Sequence, residues 1–139
     1  MAIPPPGPPP RVLLDTNVFL WALRSPGRLS GPARAWLEDP ATEVLFSAAT
    51  IWEVGIKCAL GRADFPYRPE VMLAEAERIG FVEVPIRAAL AGRVADLPPH
   101  HRDPFDRLIV AQALHLPARL LTADAALRAY SDLVTLATC

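Results

Sequence analysis

Three aspartates stand where a buried strand is expected to end or a helix to begin, Asp15, Asp106 and Asp124, and a fourth acid, Glu53, lies between them in the sequence. Carboxylates held close together repel one another and raise their own pKa values unless a cation lies between them. Oxygen ligands suit Mg²⁺ or Mn²⁺ better than zinc or copper. Such an ion can activate water and neutralise charge on a phosphodiester. We therefore predict a carboxylate cluster that binds Mg²⁺ or Mn²⁺ through Asp15, Asp106 and Asp124, with a phosphate ester as substrate.

Strands that alternate with helices must position these acids. Short apolar runs predict buried strands over residues 12–14, 43–46, 81–84, 119–122 and 133–136. Helices are predicted over residues 18–23, 30–39, 48–60, 69–79, 86–94, 104–116 and 125–130. The alternation indicates an α/β fold, a three-layer α/β/α sandwich with a mostly parallel sheet of about five strands. Ligands bind such sheets beyond the carboxyl ends of strands, so Asp15 and Asp124 could be neighbours.

Glu53 lies within the predicted helix 48–60, and its helical neighbours Ala49 and Ile56 place it beside a partly apolar face. A role in the acidic cluster is one interpretation. The other is an exposed ion pair with Lys57, four residues further on, which would contribute only a few tenths of a kcal/mol.

Asp103 and Asp106 flank the start of the predicted helix 104–116. Asp103 precedes Pro104, a natural cap followed by a proline in the first turn, and the helix dipole favours an anion at position 106. Capping alone could explain both acids. However, Asp106 also heads the apolar face continued by Ile109, and a carboxylate that leads a buried stripe needs a partner such as a metal ion.

Composition limits the remaining possibilities. The chain has 139 residues, 52% of them hydrophobic and 21% charged, as expected for one globular domain with a real core. Its formal net charge of -1 argues against a surface that is basic overall, although arginine outnumbers lysine 13 to 1. Cys58 and Cys139 match neither a zinc site nor a disulfide framework, which fits a reducing cytoplasm. No signal peptide or membrane span is expected.

The first ten residues, MAIPPPGPPP, contain six of the sixteen prolines. Proline cannot donate the backbone hydrogen bonds of a strand or helix. We therefore predict a disordered lead over residues 1–10, followed by one domain over residues 11–139. A proline motif that binds a partner protein is the alternative.

Four segments, LLDTNVFLWAL, FSAATIWEVGIKCALGR, HRDPFDRLIVAQAL and LLTADAAL, together resemble the PIN-domain ribonucleases, and most closely the VapC-type toxins of bacterial toxin–antitoxin pairs. The resemblance covers nearly all of residues 12–136. It implies that Asp15, Glu53, Asp106 and Asp124 are catalytic, that Asp103 supports them, and that the chain cleaves RNA with Mg²⁺ or Mn²⁺.

The same resemblance implies partners. It predicts a homodimer and a small VapB-type antitoxin that covers the acidic groove, with DNA bound only through the antitoxin complex. No membrane association is expected. An alternative of another class is a catalytically idle PIN-like module that acts through the antitoxin complex as a transcriptional autorepressor.

Small polar residues beside the acids could hydrogen-bond the carboxylates or a metal-bound water: Thr16, Asn17, Ser47 and Thr122. Ser47 could equally be a helix cap, and Thr122 an ordinary residue at the end of a strand. Asn17 stands where this branch of the family often has histidine, which weakens a proton-transfer role at that position.

Arg102 and Arg107 are candidates for contacts with RNA phosphates, because a guanidinium offers two parallel donors to phosphate oxygens. Arg107 could instead brace Asp103 or Asp106.

The histidines and tryptophans could also bind a ligand, but they are predicted to have no direct part in the chemistry. His100 and His101 are expected to be solvated loop residues, with metal or phosphate binding as the alternative. Trp21, Trp36 and Trp52 are expected in the core or at a dimer interface rather than as platforms for base stacking.

Two other classes of protein place aspartates around Mg²⁺ at a sheet edge. Receiver domains have an acidic pair near the first strand and a lysine after a late strand, whereas Asp15 lacks an acidic neighbour and Lys57 lies mid-chain. Haloacid-dehalogenase-type phosphatases need a second aspartate where Asn17 stands. Both classes are disfavoured.

Overall fold

A computed structural model describes residues 10–138 of the chain. The predicted disordered lead therefore lies outside the described residues, apart from Pro10. This proline forms a bend, and its carbonyl accepts a hydrogen bond of 2.9 Å from the backbone N–H of Glu43.

Five parallel strands form one sheet in the described part of the chain: β1 Arg11–Leu14, β2 Glu43–Ser47, β3 Val82–Val84, β4 Arg119–Thr122 and β5 Val134–Leu136. Their order is β3-β2-β1-β4-β5, and every neighbouring pair is parallel. The chain builds outward from β1 to one edge and then returns to build outward from β4 to the other. The strand order thus reverses between β1 and β4, which is where a parallel sheet leaves a crevice.

The helices within residues 10–138 are α1 Thr16–Arg24, α2 Gly31–Glu38, α3 Ala48–Ala59, α4 Pro69–Arg78, α5 Ala88–Arg93 and α6 Pro104–His115. None of them is long and apolar enough to span a membrane. Three predicted helices differ from the structure by more than one residue at their start or in type, and the first of them, α1, is explained below. The predicted helix 86–94 begins two residues late, at Ala88, because Arg87 is extended; the predicted helix 125–130 is a 3₁₀ helix, Ala125–Ala129.

Polar caps define where the helices start. Asp15 precedes α1, and its Oδ1 accepts a hydrogen bond of 2.8 Å from the backbone N–H of Val18. This cap explains why α1 begins at Thr16, two residues before the predicted start, directly after β1. Ser47 caps α3 in the same way through the N–H of Ala49. The strand-to-helix junctions are therefore tight turns whose first polar side chain lies at the sheet edge.

Alternate residues of the strands enter two cores, as the two-residue period of a strand requires. On one face Leu14 and Phe46 pack with Phe19 of α1 and Met72 of α4. On the other face Leu13, Leu45 and Leu120 pack with Ile109 and Val110 of α6 and with Leu127 of the 3₁₀ helix. These two layers of helices around one parallel sheet confirm the predicted α/β/α sandwich.

Candidate metal centre

Asp15 lies at the carboxyl end of β1 and is 5% exposed. Its backbone N–H donates to the carbonyl of Leu121, which extends the β1–β4 pairing to the aspartate. The hydroxyl of Thr122 donates to Oδ2 at 2.5 Å and also accepts from the N–H of Asp124 at 3.0 Å. One threonine therefore links the two aspartates that sequence analysis placed at this sheet edge. Burial raises the pKa of Asp15, and the hydrogen bonds from Thr122 and Val18 partly oppose this rise.

Glu53 reaches the cluster from α3 and is 9% exposed. Thr16 donates its hydroxyl hydrogen to Oε1 at 2.6 Å, and Lys57 Nζ lies 3.0 Å from Oε2. The ion pair with Lys57 proposed from the sequence is thus present, but the glutamate in it is buried rather than exposed. The negative charge of Glu53 contributes to raising the pKa of both Asp15 and Asp106, so it acts on the same cluster.

Sequence analysis left open whether Asp103 and Asp106 cap α6 or belong to the acidic cluster, and the two residues differ in this respect. Asp103 is the cap of α6, because its Oδ1 accepts from the N–H of Phe105 at 2.8 Å and of Asp106 at 3.3 Å. Asp106 caps nothing. Burial, followed by the charges of Asp103 and Asp15, raises its pKa from the ordinary 3.8 to about 7. Within residues 10–138 its carboxylate receives no hydrogen bond that would offset this rise.

Asp124 completes the cluster from the turn after β4. Its Oδ1 accepts from the N–H of Ala126 at 3.0 Å and so caps the 3₁₀ helix. Its Oδ2 lies 2.8 Å from Nε2 of His101, and the same nitrogen lies 3.6 Å from Oδ2 of Asp106. One ligand atom from each of these three residues lies within 4.8 Å of the other two.

The prediction that His101 is solvated loop surface is wrong, because its side chain is 20% exposed and contacts Asp124 inside the cluster. The loop carries no hydrophobic period, so sequence patterning gave no basis for placing the ring. The available signal was its position two residues before the capping Asp103, whose N–H donates to His101 Nδ1 at 3.1 Å. His100, by contrast, is exposed as predicted.

Arg107 braces the loop that precedes α6. Its guanidinium donates hydrogen bonds of 2.9 to 3.4 Å to the carbonyls of Val94, Leu97, Pro98 and His101 and to the hydroxyl of Tyr130. Arg107 therefore braces this loop. The sequence had instead suggested, as an alternative to an RNA contact, that it could brace Asp103 or Asp106. A contact between Arg107 and an RNA phosphate would have to replace some of these bonds. Arg102 is exposed, and its phosphate contact stays a prediction.

A family model for the PIN domain matches residues 12–133. The chain belongs to the PIN-domain family. No curated protein matches its sequence.

Solved structures agree with this fold. The crystal structure of VapBC2 from Rickettsia felis, bound to a DNA fragment from their promoter, is similar with a TM-score of 0.63 at 13% identity, covering 91% of this chain and 96% of that one. The crystal structure of FitAcB from Neisseria gonorrhoeae is similar with a TM-score of 0.53 at 22% identity, covering 90% of this chain and 96% of that one. At these identities the likeness concerns the fold of the PIN domain.

The supporting residues predicted for this PIN domain fall into two groups. Thr16 and Thr122 donate to Glu53 and Asp15, respectively. Ser47 is fully buried and caps α3 through Ala49, which was its alternative interpretation. Asn17 is exposed on the first turn of α1. A supporting role for Ser47 or Asn17 stays a prediction.

The residues present fit a hard divalent cation. The acids supply oxygen ligands, and one ligand oxygen of Asp106 lies within 4.8 Å of one of Asp124. This limit includes the roughly 4.2 Å that opposite ligands span around Mg²⁺ with bonds of about 2.1 Å. The raised pKa of Asp106 is the electrostatic cost that a cation beside it would remove. By contrast, a cavity of about 420 Å³ beneath α5 is lined by apolar and basic residues such as Leu90, Arg87 and Arg93, with no acid among the lining residues described.

Proposed function

We propose that this PIN domain is a Mg²⁺- or Mn²⁺-dependent endoribonuclease that acts as the toxin of a toxin–antitoxin pair. The observation that carries the proposal is the convergence of four acids, Asp15, Glu53, Asp106 and Asp124, at the crevice between β1 and β4. A bound Mg²⁺ or Mn²⁺ would supply Lewis acidity that activates water and neutralises charge on the phosphodiester.

The residues of the chain would hold and orient the reacting groups. Asp106 and Asp124 both lie near Nε2 of His101, at 3.6 and 2.8 Å, and Asp15 is held by the bond from Thr122. Because Asp15 is almost fully buried and bonded at both oxygens, its carboxylate cannot rotate freely. Such fixed ligands favour one position for the cation and therefore one position for the scissile phosphate.

Glu53 is the acid best placed for a different task. Its two oxygens are engaged by Thr16 and Lys57, so it is held less by the cluster than by α1 and its own helix. We assign it to the catalytic set on the family resemblance and on its burial beside Asp15. In that position Glu53 would orient a water or a hydroxyl near the cation and would not be one of the main ligands of the cation.

An exposed apolar stripe supports a protein partner. Trp52 and Ile56 of α3 and Leu60, the residue directly after it, follow one another at four-residue spacing and are 62%, 42% and 66% exposed. Trp52 also stacks edge to face on Phe105, with ring centroids 5.1 Å apart, so the stripe reaches the start of α6. Exposed apolar patches of this kind mark protein interfaces.

We assign the partners on the resemblance to VapC-type toxins and on the VapBC2 neighbour. They are a VapB-type antitoxin and a second copy of the chain, with DNA contacted only through the antitoxin complex, in the cytoplasm. RNA is the substrate of the free chain. Autorepression by the antitoxin complex is the alternative function, and it would leave the four acids without a catalytic task.

The test is RNA cleavage by the purified, partner-free chain in Mg²⁺ or Mn²⁺, with the Asp15→Asn and Asp106→Asn variants. Each variant is expected to lose more than about 100-fold in rate, since even residues that only support metal ligands typically contribute about 10–100-fold. Asp132→Asn is the matched control. This exposed aspartate lies before the amino end of β5, whereas the four acids lie at or beyond the carboxyl ends of the strands. Absence of cleavage by the parent, or equal cleavage by the variants, would reject the nuclease function.

A further inference from the structure

The ring of His101 has one polar neighbour at each nitrogen, and together these neighbours define its tautomer. The backbone N–H of Asp103 can only donate, so Nδ1, 3.1 Å away, must offer its lone pair. The neutral ring then carries its hydrogen on Nε2. That nitrogen lies 2.8 Å from Asp124 Oδ2, a good hydrogen bond, and 3.6 Å from Asp106 Oδ2, which is too far for one. The ring is therefore a donor aimed at Asp124.

The loop that carries the ring is fixed on both sides. Asp103 begins α6 as its cap, which sets the position of the N–H that holds Nδ1. Arg107, on the first turn of α6, donates to the carbonyl of His101 itself and to three earlier carbonyls of the loop. The segment HRDPFDR thus ties the ring to the same helix that presents Asp106.

Asp124 is the acid that most needs such support. Its side chain is 42% exposed, compared with 24% for Asp106, and the only other bond that residues 10–138 make to its carboxylate comes from Ala126 at the start of a short 3₁₀ helix. A carboxylate with this exposure can rotate toward solvent. The Nε2–H of His101 fixes Oδ2 on the side that faces Asp106.

We propose that His101 is a positioning residue, which holds the Asp124 carboxylate at cation-binding distance from Asp106 and does not itself bind the cation. The proposal rests on the metal-dependent function proposed above and adds a residue to it. His101 acts through Asp124, as a donor behind a metal ligand commonly does.

Direct ligation by the ring conflicts with the second contact. A neutral imidazole has one lone pair, and Nδ1 already uses it to accept from the N–H of Asp103. Ligation through Nε2 would require that this bond break, together with the 2.8 Å bond to Asp124. A hard cation would then gain a nitrogen ligand in place of the oxygen ligands that it prefers.

Two amide variants separate the contacts of the ring. His101→Gln can place an N–H near the position of Nε2 and so keep the bond to Asp124. His101→Asn can still accept from the N–H of Asp103 but is too short to reach Asp124. His101→Ala loses both contacts. His100→Asn is the matched control, because His100 is the exposed neighbour whose ring stacks on Tyr130.

The first measurement is Mn²⁺ affinity, from the free Mn²⁺ signal in electron paramagnetic resonance, on full-length protein without RNA. The Gln variant and the His100→Asn control are expected to bind within about threefold of the parent, and the Asn and Ala variants about 10–100-fold more weakly. Equal affinity of the Asn variant and the parent would overturn the proposal. So would a Gln variant that binds as weakly as Ala while it unfolds at the parent temperature.

The second measurement is the nitrogen coupling of bound Mn²⁺ in electron spin echo spectra. No coupling from a directly bound imidazole nitrogen is expected, and a coupling that disappears in the Gln variant would overturn the donor role. If the folded parent binds no Mn²⁺, the proposed function itself fails, and the role of His101 fails with it. If the parent binds Mn²⁺ and the Asn variant binds equally well, only the role of His101 is rejected.

Discussion

Replacing Asp106 by asparagine should stabilise the metal-free protein. The folded state raises the pKa of Asp106 from 3.8 to about 7, mainly by burial and then by the charges of Asp103 and Asp15. Between these two values the folded state binds more protons than the unfolded state, so the free energy of unfolding falls as pH rises from about 4 to about 7. Above about 7 the penalty is complete. Asparagine has a similar shape and no charge, so it removes this penalty.

The shift sets the scale of the effect. A difference of 7 minus 3.8, about 3 pKa units at roughly 1.4 kcal/mol each, gives a ceiling of about 4 kcal/mol. The side chain is 24% exposed and its neighbours can relax, so we expect a gain of about 1–3 kcal/mol at pH 8. The gain should shrink toward zero near pH 4, where the parent aspartate is protonated in the folded state.

The assay is urea unfolding in a chelating buffer at pH 4 and pH 8, with Asp132→Asn as the exposed-aspartate control. A saturating divalent cation should then reverse the order at pH 8, because ligand binding stabilises the parent by about 4.1 kcal/mol at about 1,000 times its dissociation constant, which exceeds the expected gain of the variant. The variant should gain far less. The claim that the charged Asp106 carboxylate destabilises the metal-free fold would be refuted by either of two results. One is a variant that is less stable than the parent at pH 8 without metal. The other is a difference in unfolding free energy that does not change with pH.

Four further outcomes follow from the contacts at the site. Cleavage at subsaturating Mg²⁺ should fall about tenfold per pH unit below about 7, because protonated Asp106 cannot bind the cation, and a flat pH–rate profile would contradict this. Asp103→Ala should destabilise the protein by about 1 kcal/mol through loss of the α6 cap, whereas Asp103→Asn should not, as measured by urea unfolding. Arg107→Ala should weaken Mn²⁺ binding by about tenfold by releasing the loop, whereas Arg102→Ala should leave affinity unchanged; equal effects would contradict the brace. Thr122→Val should raise the pKa of Asp15 further and reduce metal affinity about tenfold, which calorimetric titration with Mn²⁺ would test.

The sequence predicted the sheet and most helices because these elements depend on local patterns. The apolar run before Asp15 indicated a buried strand, and the alternation of strands and helices indicated a parallel sheet at whose carboxyl edge Asp15 and Asp124 could be neighbours; the structure pairs β1 with β4. Pairing along the sheet then brought Asp15 and Asp124 together although they lie far apart in the chain. The start of α1 was misjudged because Asp15 was interpreted as the end of a strand and not also as a cap.

The contacts of the loop before α6 could not be predicted in the same way. The partner of His101 is Asp124, 23 residues further along, and no periodic pattern connects a loop residue with a turn residue. The partners of Arg107 are mainly backbone carbonyls, which every residue possesses, so sequence does not distinguish the correct ones. Side chains in loops take the partners that the folded sheet edge offers, and these are determined only when the fold is complete.

The four acids differ in how their charges are balanced, and this difference indicates where a cation is needed. Asp15 has Thr122 and the N–H of Val18, and Glu53 has Thr16 and the ion pair with Lys57. Asp124 has the ring of His101 and the N–H of Ala126. Asp106 alone among them, within residues 10–138, has no hydrogen-bond donor, and its pKa is raised to about 7. The charge of Asp106 is thus the least compensated of the four, because His101, whose Nε2 lies 3.6 Å from Oδ2, offsets only part of the rise in its pKa. A divalent cation would gain most beside this carboxylate, which is why substitutions there should separate fold stability from metal binding most clearly.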